Sequence, residues 1–266
     1  MTDSIILDKS FLQGSKTAAI RSLAQSHRLA VSDALFYELL TCAAPVRARC
    51  FAKFPPGPGP VELVSHVGTL MKIEIETQRP AGKPSTHRET TTFAFNARLT
   101  SPDYTLTRTQ QATVQEEMDQ LRQSVVRFIG RVKITGELFP SLRIGNNDDR
   151  LEIERLILTP ADLLRFYGSL KAPSGEKPFP PTELVSEEWA IYRHLQIELL
   201  FALDVYIRYH GNIPKTLSPV AFEKMEHDVL DAQGLVLGCL EGCFATRENK
   251  LKRWWRMLCP NGQLFE

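Results

Sequence analysis

The chain has 266 residues, 43% of them hydrophobic and 24% charged, with a formal net charge of +1. That length gives room for a substantial core, as one large domain or two small ones, and the composition is that of a soluble globular protein. So small a net charge excludes a global field that would draw in a nucleic acid or a membrane, and no run approaches the roughly 18 apolar residues of a membrane span.

The first apolar run is Ser4–Leu7, which ends in Asp8 and predicts a buried strand. Ala19, Ile20, Leu23 and Ala24 are spaced for a helix over 16–25, and 29–31 reads as a second short strand. Ser32 is an N-cap for a helix over 33–41, because its hydroxyl can accept from a free N–H of the first turn. This β-α-β-α order predicts an α/β fold with a mainly parallel sheet and crossover helices. Proline and glycine over 54–60 end that unit.

The middle of the chain has a different character. Residues 61–76 are amphipathic without a clear period, and the polar stretch 79–92 reads as a loop. Thr113 with Glu116 predicts a capping box at the start of a helix over 113–126. Thr159–Pro160 opens another helix, and 171–181 reads as a linker. A long helix over 186–210 carries Trp189, Leu195, Leu199 and Leu203 on one face, and Gly211 and Pro214 stop it. From Ser218–Pro219 a helix runs to about Leu240, then a strand over 243–246 and a helix over 249–258. The expected organisation is one α/β domain made of residues 1–60 and 217–266, with 61–216 as a mostly helical insertion.

The start of the chain has no basic segment followed by an apolar stretch and a small-residue cleavage site, which predicts a cytoplasmic protein. Cys42, Cys50, Cys239, Cys243 and Cys259 are odd in number and lack CxxC spacing, which predicts reduced and mostly buried thiols.

Four places along the chain hold acids suited to chemistry. Asp8 follows the carboxyl end of a strand, where open α/β sheets bind ligands, and a buried carboxylate there is costly unless it is paired or metal-bound. Glu38 lies between Leu35 and Leu39, off the polar face of its helix. Asp228 and Asp231, at i and i+3, project from one helix face and repel unless a cation sits between them. Glu248 lies just past a strand. Each also has a plain structural reading, as a cap or as a solvated helix face.

Three stretches resemble the motifs of the PIN nuclease family. IILDKSFL is similar to its first motif, an apolar strand ending in aspartate with a hydroxyl residue soon after. VSDALFYELL is similar to the second, a helix entered through serine and carrying a glutamate, and DVLDAQGLVLGCLEGCFATREN is similar to the third and fourth. The resemblance covers roughly residues 4–54 and 217–260. It implies a PIN-like fold and a metal-dependent nuclease, with RNA ahead of DNA as substrate and toxins or defence effectors among the roles. It also implies metal ligands at Asp8, Glu38, Asp228 or Asp231, and Glu248. Two residues depart from the pattern: Glu248 stands where the family usually has aspartate, and Lys9 directly follows the first acid.

Hydrolysis of a phosphodiester needs an activated water and stabilisation of the leaving oxygen, which Mg²⁺ or Mn²⁺ on carboxylate ligands supply. Arg247, Lys250 and Arg253 are candidate substrate contacts, because basic groups beside an acidic site suit a polyanion, and Ser10 is a further candidate through its hydroxyl. Trp254 and Trp255 read mainly as core. The central insertion is a candidate surface for a protein partner. A PIN-like scaffold without catalysis, binding nucleic acid or protein, is the alternative function.

Overall fold

In the computed structural model, which describes residues 3–57, 59–88, 97–170, 172, 175 and 177–266, the run Ser4–Leu7 is strand β1, buried along its whole length. The chain continues through α1 (Lys9–Gly14), α2 (Thr17–Ser26), β2 (Arg28–Ser32), α3 (Asp33–Thr41), α4 (Ala44–Phe51), β3 (Glu62–Val64) and α5 (Val67–Thr77). Next come α6 (Arg108–Lys133), α7 (Thr135–Leu138), α8 (Asn147–Leu158), α9 (Pro160–Ser169) and α10 (Ala190–Arg208). The last elements are α11 (Pro219–Glu241), β4 (Cys243–Ala245), α12 (Asn249–Leu258) and β5 (Gln263–Phe265). Among the described residues no helix is long and apolar enough to cross a membrane.

The five strands form one sheet in the order β3-β2-β1-β4-β5, and every pairing is parallel. Parallel strands covered on both faces read as continuous apolar runs, and SIIL and RLAVS do. Ile5 lies opposite Leu29 and Ile6 opposite Phe244, so the first and last parts of the chain share one sheet. The chain winds from β1 outward through β2 to β3, then returns to the other side of β1 as β4 and moves outward again to β5. The winding direction therefore reverses between β1 and β4. At such a reversal the loops leaving the two strands diverge and open a crevice at their carboxyl ends.

The chain divides into two compact units. The first holds 1–66, 83–121 and 237–266; the second holds 67–82 and 122–236. The divisions at 121/122 and 236/237 fall inside α6 and α11, so each of these helices contributes to both units.

The first unit contains the sheet and an apolar core that includes Ile5, Leu7, Leu12, Phe36, Leu39, Phe51 and Ala245. Part of the middle of the chain joins it. The Arg47 guanidinium donates to the Tyr104 carbonyl at 2.7 Å and lies 5.7 Å from the centre of the Tyr104 ring, which holds the segment after residue 97 against α4. The stretch read as a polar loop over 79–92 is tied down in the portion described here, and from 89 onward it lies outside the described residues. Ser85 donates its N–H and its hydroxyl to the Glu241 carboxylate, both at 2.9 Å, and Arg88 pairs with Glu62 at 3.0 Å. Polarity here reflects specific pairing, which composition alone does not distinguish from solvation.

Among the described residues the regular secondary structure of the second unit is helical, and it is built around α10, which contacts α5, α7, α8 and α9. Ile197, Phe201, Ala202 and Val205 on α10 are completely buried. Glu74 of α5, also completely buried, caps this helix. Its Oε1 accepts from the N–H of Ala190 at 2.6 Å and of Ala81 at 3.1 Å, and its Oε2 accepts from the N–H of Ile191 at 2.9 Å. First-turn amides of a helix have no partner within the helix, and a carboxylate there also meets the positive end of the helix dipole.

The expected helices are present, but two starts moved. The long helix expected over 186–210 begins at Ala190. The helix expected from Thr113 begins at Arg108, so Thr113 is interior and its hydroxyl donates to the Thr109 carbonyl at 3.2 Å. Ser32 caps α3 as expected, accepting from the Leu35 N–H at 3.0 Å.

Candidate functional site

Asp8 leaves β1 at the reversal point and is 94% buried, with a relative exposure of 6%. It is the N-cap of α1, in extended conformation. Its Oδ2 accepts three hydrogen bonds: from the Ser10 N–H at 3.2 Å, from the Ser10 hydroxyl, and from the Thr246 hydroxyl at 2.9 Å. Each hydroxyl in turn accepts from a backbone amide, Ser10 from the segment after β4 and Thr246 from within its own loop. Ser10 Oγ accepts from the Arg247 N–H at 3.0 Å, and Thr246 Oγ1 from the Glu248 N–H at 3.1 Å. A hydroxyl has one proton, and each gives it to Asp8, so the 3.2 Å approach between the two oxygens is a contact that their shared acceptor creates.

The other carboxylate oxygen is different. Among the described residues, Oδ1 of Asp8 accepts no hydrogen bond and the carboxylate has no ion-pair partner. Burying a charge is costly unless it is compensated, and here the compensation is hydroxyls and one amide on a single oxygen. All of the hydrogen bonds fall on one oxygen and none on the other.

Glu38 on α3 is also buried, and its carboxylate forms an ion pair with Lys9, the first residue of α1. The neighbouring Cys42 thiol is pushed up by burial, with the Lys9 ammonium opposing that shift and the Glu38 carboxylate adding to it. Burial likewise raises Cys50, and it raises Cys243 to about 11, so these thiols stay protonated at neutral pH. All five cysteines are free. Glu248 is the N-cap residue of α12 but makes no capping bond, and its exposed side chain has no partner among the described residues.

Asp228 and Asp231 belong to the second unit. Asp228 is buried and is held by both arms of the Arg208 guanidinium, at 2.8 and 3.1 Å. Arg208 also reaches Asp204 at 3.1 Å, and the two carboxylates raise its pKa further. A forked guanidinium occupies the lone pairs that a metal would use. Asp231 is half-buried on the same helix. Among the described residues, no three or more His, Cys, Asp or Glu side chains are grouped so as to hold a metal ion.

The basic residues of the C-terminal stretch divide by role. Arg247 donates to the Gly14 carbonyl at 3.0 Å; a Cβ at Gly14 would lie 2.7 Å from Arg247 Cδ, so the glycine admits this side chain. Lys250 lies 5.6 Å above the Trp254 ring, and Lys252 and Arg256 pair with Glu266. Arg253 is half-buried on α12. Trp254 and Trp255 are buried, and Trp255 stacks on Phe244 at 5.4 Å, so both are core residues and not an open stacking platform.

The parts played by Thr246 and Lys53 were not read from the sequence. Thr246 becomes visible only once β1 and β4 are known to be neighbours, because Leu7 pairs with Ala245 and the next residues face each other. Lys53, buried in the first unit, donates from Nζ to the carbonyls of Leu12 (2.5 Å) and Gln13 (2.8 Å), closing the carboxyl end of α1. Its pKa is lowered by burial. Lys53→Met is expected to cost about 2–3 kcal/mol in urea unfolding, since two carbonyls lose a charged donor. A loss under about 0.5 kcal/mol would show that α1 does not depend on this contact.

Comparison with models of known protein families, with curated proteins and with solved structures found no match.

Proposed function

We propose that the first unit is a PIN-like domain and that its Asp8 crevice binds Mg²⁺ or Mn²⁺ and hydrolyses phosphodiester bonds in nucleic acid, RNA in preference to DNA. The observation that carries this reading is Asp8: a buried carboxylate at the winding reversal, with one oxygen locked by Ser10 and Thr246 and the other uncommitted. The donor set fits one hard divalent cation. Mg²⁺ usually keeps several waters and takes one or two protein carboxylates together with substrate phosphate oxygens, so a three-acid cage is not required. When bound, such an ion supplies an activated water and charge stabilisation at the phosphate.

The chain's own residues have separate tasks in this reading. Asp8 holds the ion through Oδ1. Ser10 and Thr246 fix the carboxylate rotamer, and Glu248, exposed beside Thr246, is placed to orient a water. Lys250 and Arg253, on the helix that Glu248 begins, supply phosphate contacts that do not read sequence. Arg247 contributes its backbone N–H to the Ser10 hydroxyl.

A second reading is a PIN-like scaffold that binds without cleaving. It is favoured by the Lys9–Glu38 ion pair and by the lack of a three-acid group among the described residues. Purified protein incubated with single- and double-stranded RNA and DNA separates the two. Under the nuclease reading, cleavage occurs with Mg²⁺ or Mn²⁺ and stops with EDTA. Binding without cleavage under every metal condition supports the scaffold.

A further inference from the structure

The two edges of the sheet differ. At β3 the chain covers its own edge: Val64 bridges Arg88 in antiparallel sense, and the Ser65 N–H donates to the His87 carbonyl at 2.9 Å. At β5 the backbone shows an outward side. The Gln263 N–H donates to the Gly242 carbonyl, and the Phe265 carbonyl accepts from the Thr246 N–H, both at 3.0 Å, so Gln263 and Phe265 turn their backbone groups toward β4. Successive strand residues alternate, so the N–H and the carbonyl of Leu264 both point away from β4. Among the described residues neither has a hydrogen-bond partner, and the residue is half-buried.

From this geometry we infer that β5 is an interface with a second copy of this chain, the two strands pairing antiparallel about a two-fold axis at Leu264. The unit of an antiparallel ladder is a pair of opposed residues that exchange both N–H···O bonds. Leu264 presents that whole set, so it is its own complement, as an isologous interface requires. The register follows. Leu264 faces the partner's Leu264, Gln263 faces the partner's Phe265, and Gly262 faces the partner's Glu266. No like charges stand opposite one another, a juxtaposition that destabilises strand pairs. Glu266 is the one charged residue over 260–266, and it is drawn back onto α12 by Lys252 at 3.3 Å and Arg256 at 2.6 Å. The edge therefore lacks the unpaired charge with which sheet proteins block edge-to-edge pairing.

The test is the mass of the full chain by sedimentation equilibrium over a range of concentrations. Wild-type protein should pass from one chain to two as concentration rises. Leu264→Pro removes the outward N–H and spares the β4–β5 bonds, since proline is tolerated where a strand N–H faces away from the sheet. It costs the dimer one hydrogen bond per copy and should weaken association about tenfold or more. Amide exchange of the wild type decides the matter should that variant not fold. The Leu264 N–H should exchange slowly at concentrations where two chains associate and quickly on dilution, while the Gln263 N–H, bonded to β4, stays the same. A chain that remains single at every concentration overturns the inference, as does a dimer that folded Leu264→Pro leaves intact. Leu264 exchange that does not change with concentration also overturns it, because the copies then meet elsewhere or the chain covers this edge itself.

Discussion

Asp8→Asn is expected to lower metal-dependent cleavage by about a thousandfold or more while leaving the fold and melting temperature nearly unchanged. The size follows from the several kcal/mol of charge stabilisation that a bound metal supplies, at a tenfold rate change for each 1.4 kcal/mol or so. The selectivity follows from the hydrogen bonds. All three fall on Oδ2, so the asparagine can place its carbonyl oxygen there and keep them. What it loses is the charge and the lone pairs at Oδ1. Initial rates with Mn²⁺, beside thermal unfolding of both proteins, check this. Wild-type cleavage by a folded Asp8→Asn protein would remove Asp8 from the chemistry.

Glu74→Ala is expected to destabilise the second unit by about 3–5 kcal/mol, because three amide donors lose a completely buried acceptor together. Glu74→Gln should cost less. Its oxygen at the Oε1 position still serves Ala190 and Ala81, while its amide nitrogen opposes the Ile191 N–H. The pH dependence has a definite sign. Burial raises the Glu74 pKa, although its three backbone hydrogen bonds pull it down. The folded state therefore binds this proton more tightly than the unfolded state, so the Glu74 contribution weakens as pH rises from the unfolded value through the raised folded one. Above that range the unfavourable term is fully present; as pH falls back through it, the term fades. Urea unfolding from pH 4 to 8 should show this slope in the wild type and not in Glu74→Gln. A cost under about 1 kcal/mol for the alanine variant would mean that water replaces the carboxylate at the start of α10.

The sheet half of the fold was readable because its signals are local. SIIL and RLAVS are short apolar runs, and Ser32 is an N-cap next to a helix-forming sequence. The strand β3 and the edge strand β5 were not, since three residues carry too little periodicity to distinguish a strand from a turn. Helix α1 was hidden for a related reason, having six residues and resting on contacts such as those of Lys53.

At the candidate site, Asp8 was legible from its position after a strand. Its environment was not, because Thr246 lies 238 residues away and reaches Asp8 only through the β1–β4 pairing. The Lys9–Glu38 ion pair was equally hidden, although Lys9 itself stood out as a departure from the PIN motif. Asp228 and Asp231 looked equivalent at i and i+3; the partner that separates them, Arg208, is on a different helix.

The position of the metal decides the central claim. A crystal grown with Mn²⁺ and measured at the manganese absorption edge would locate the ion directly. The account predicts an anomalous peak about 2.1 Å from Asp8 Oδ1, a distance typical of a small hard divalent cation on a carboxylate. In that crystal the Lys9–Glu38 pair should remain intact. A peak on Asp228 or Asp231 with none at Asp8, or full Mn²⁺ exposure with no peak in the first unit, would contradict it.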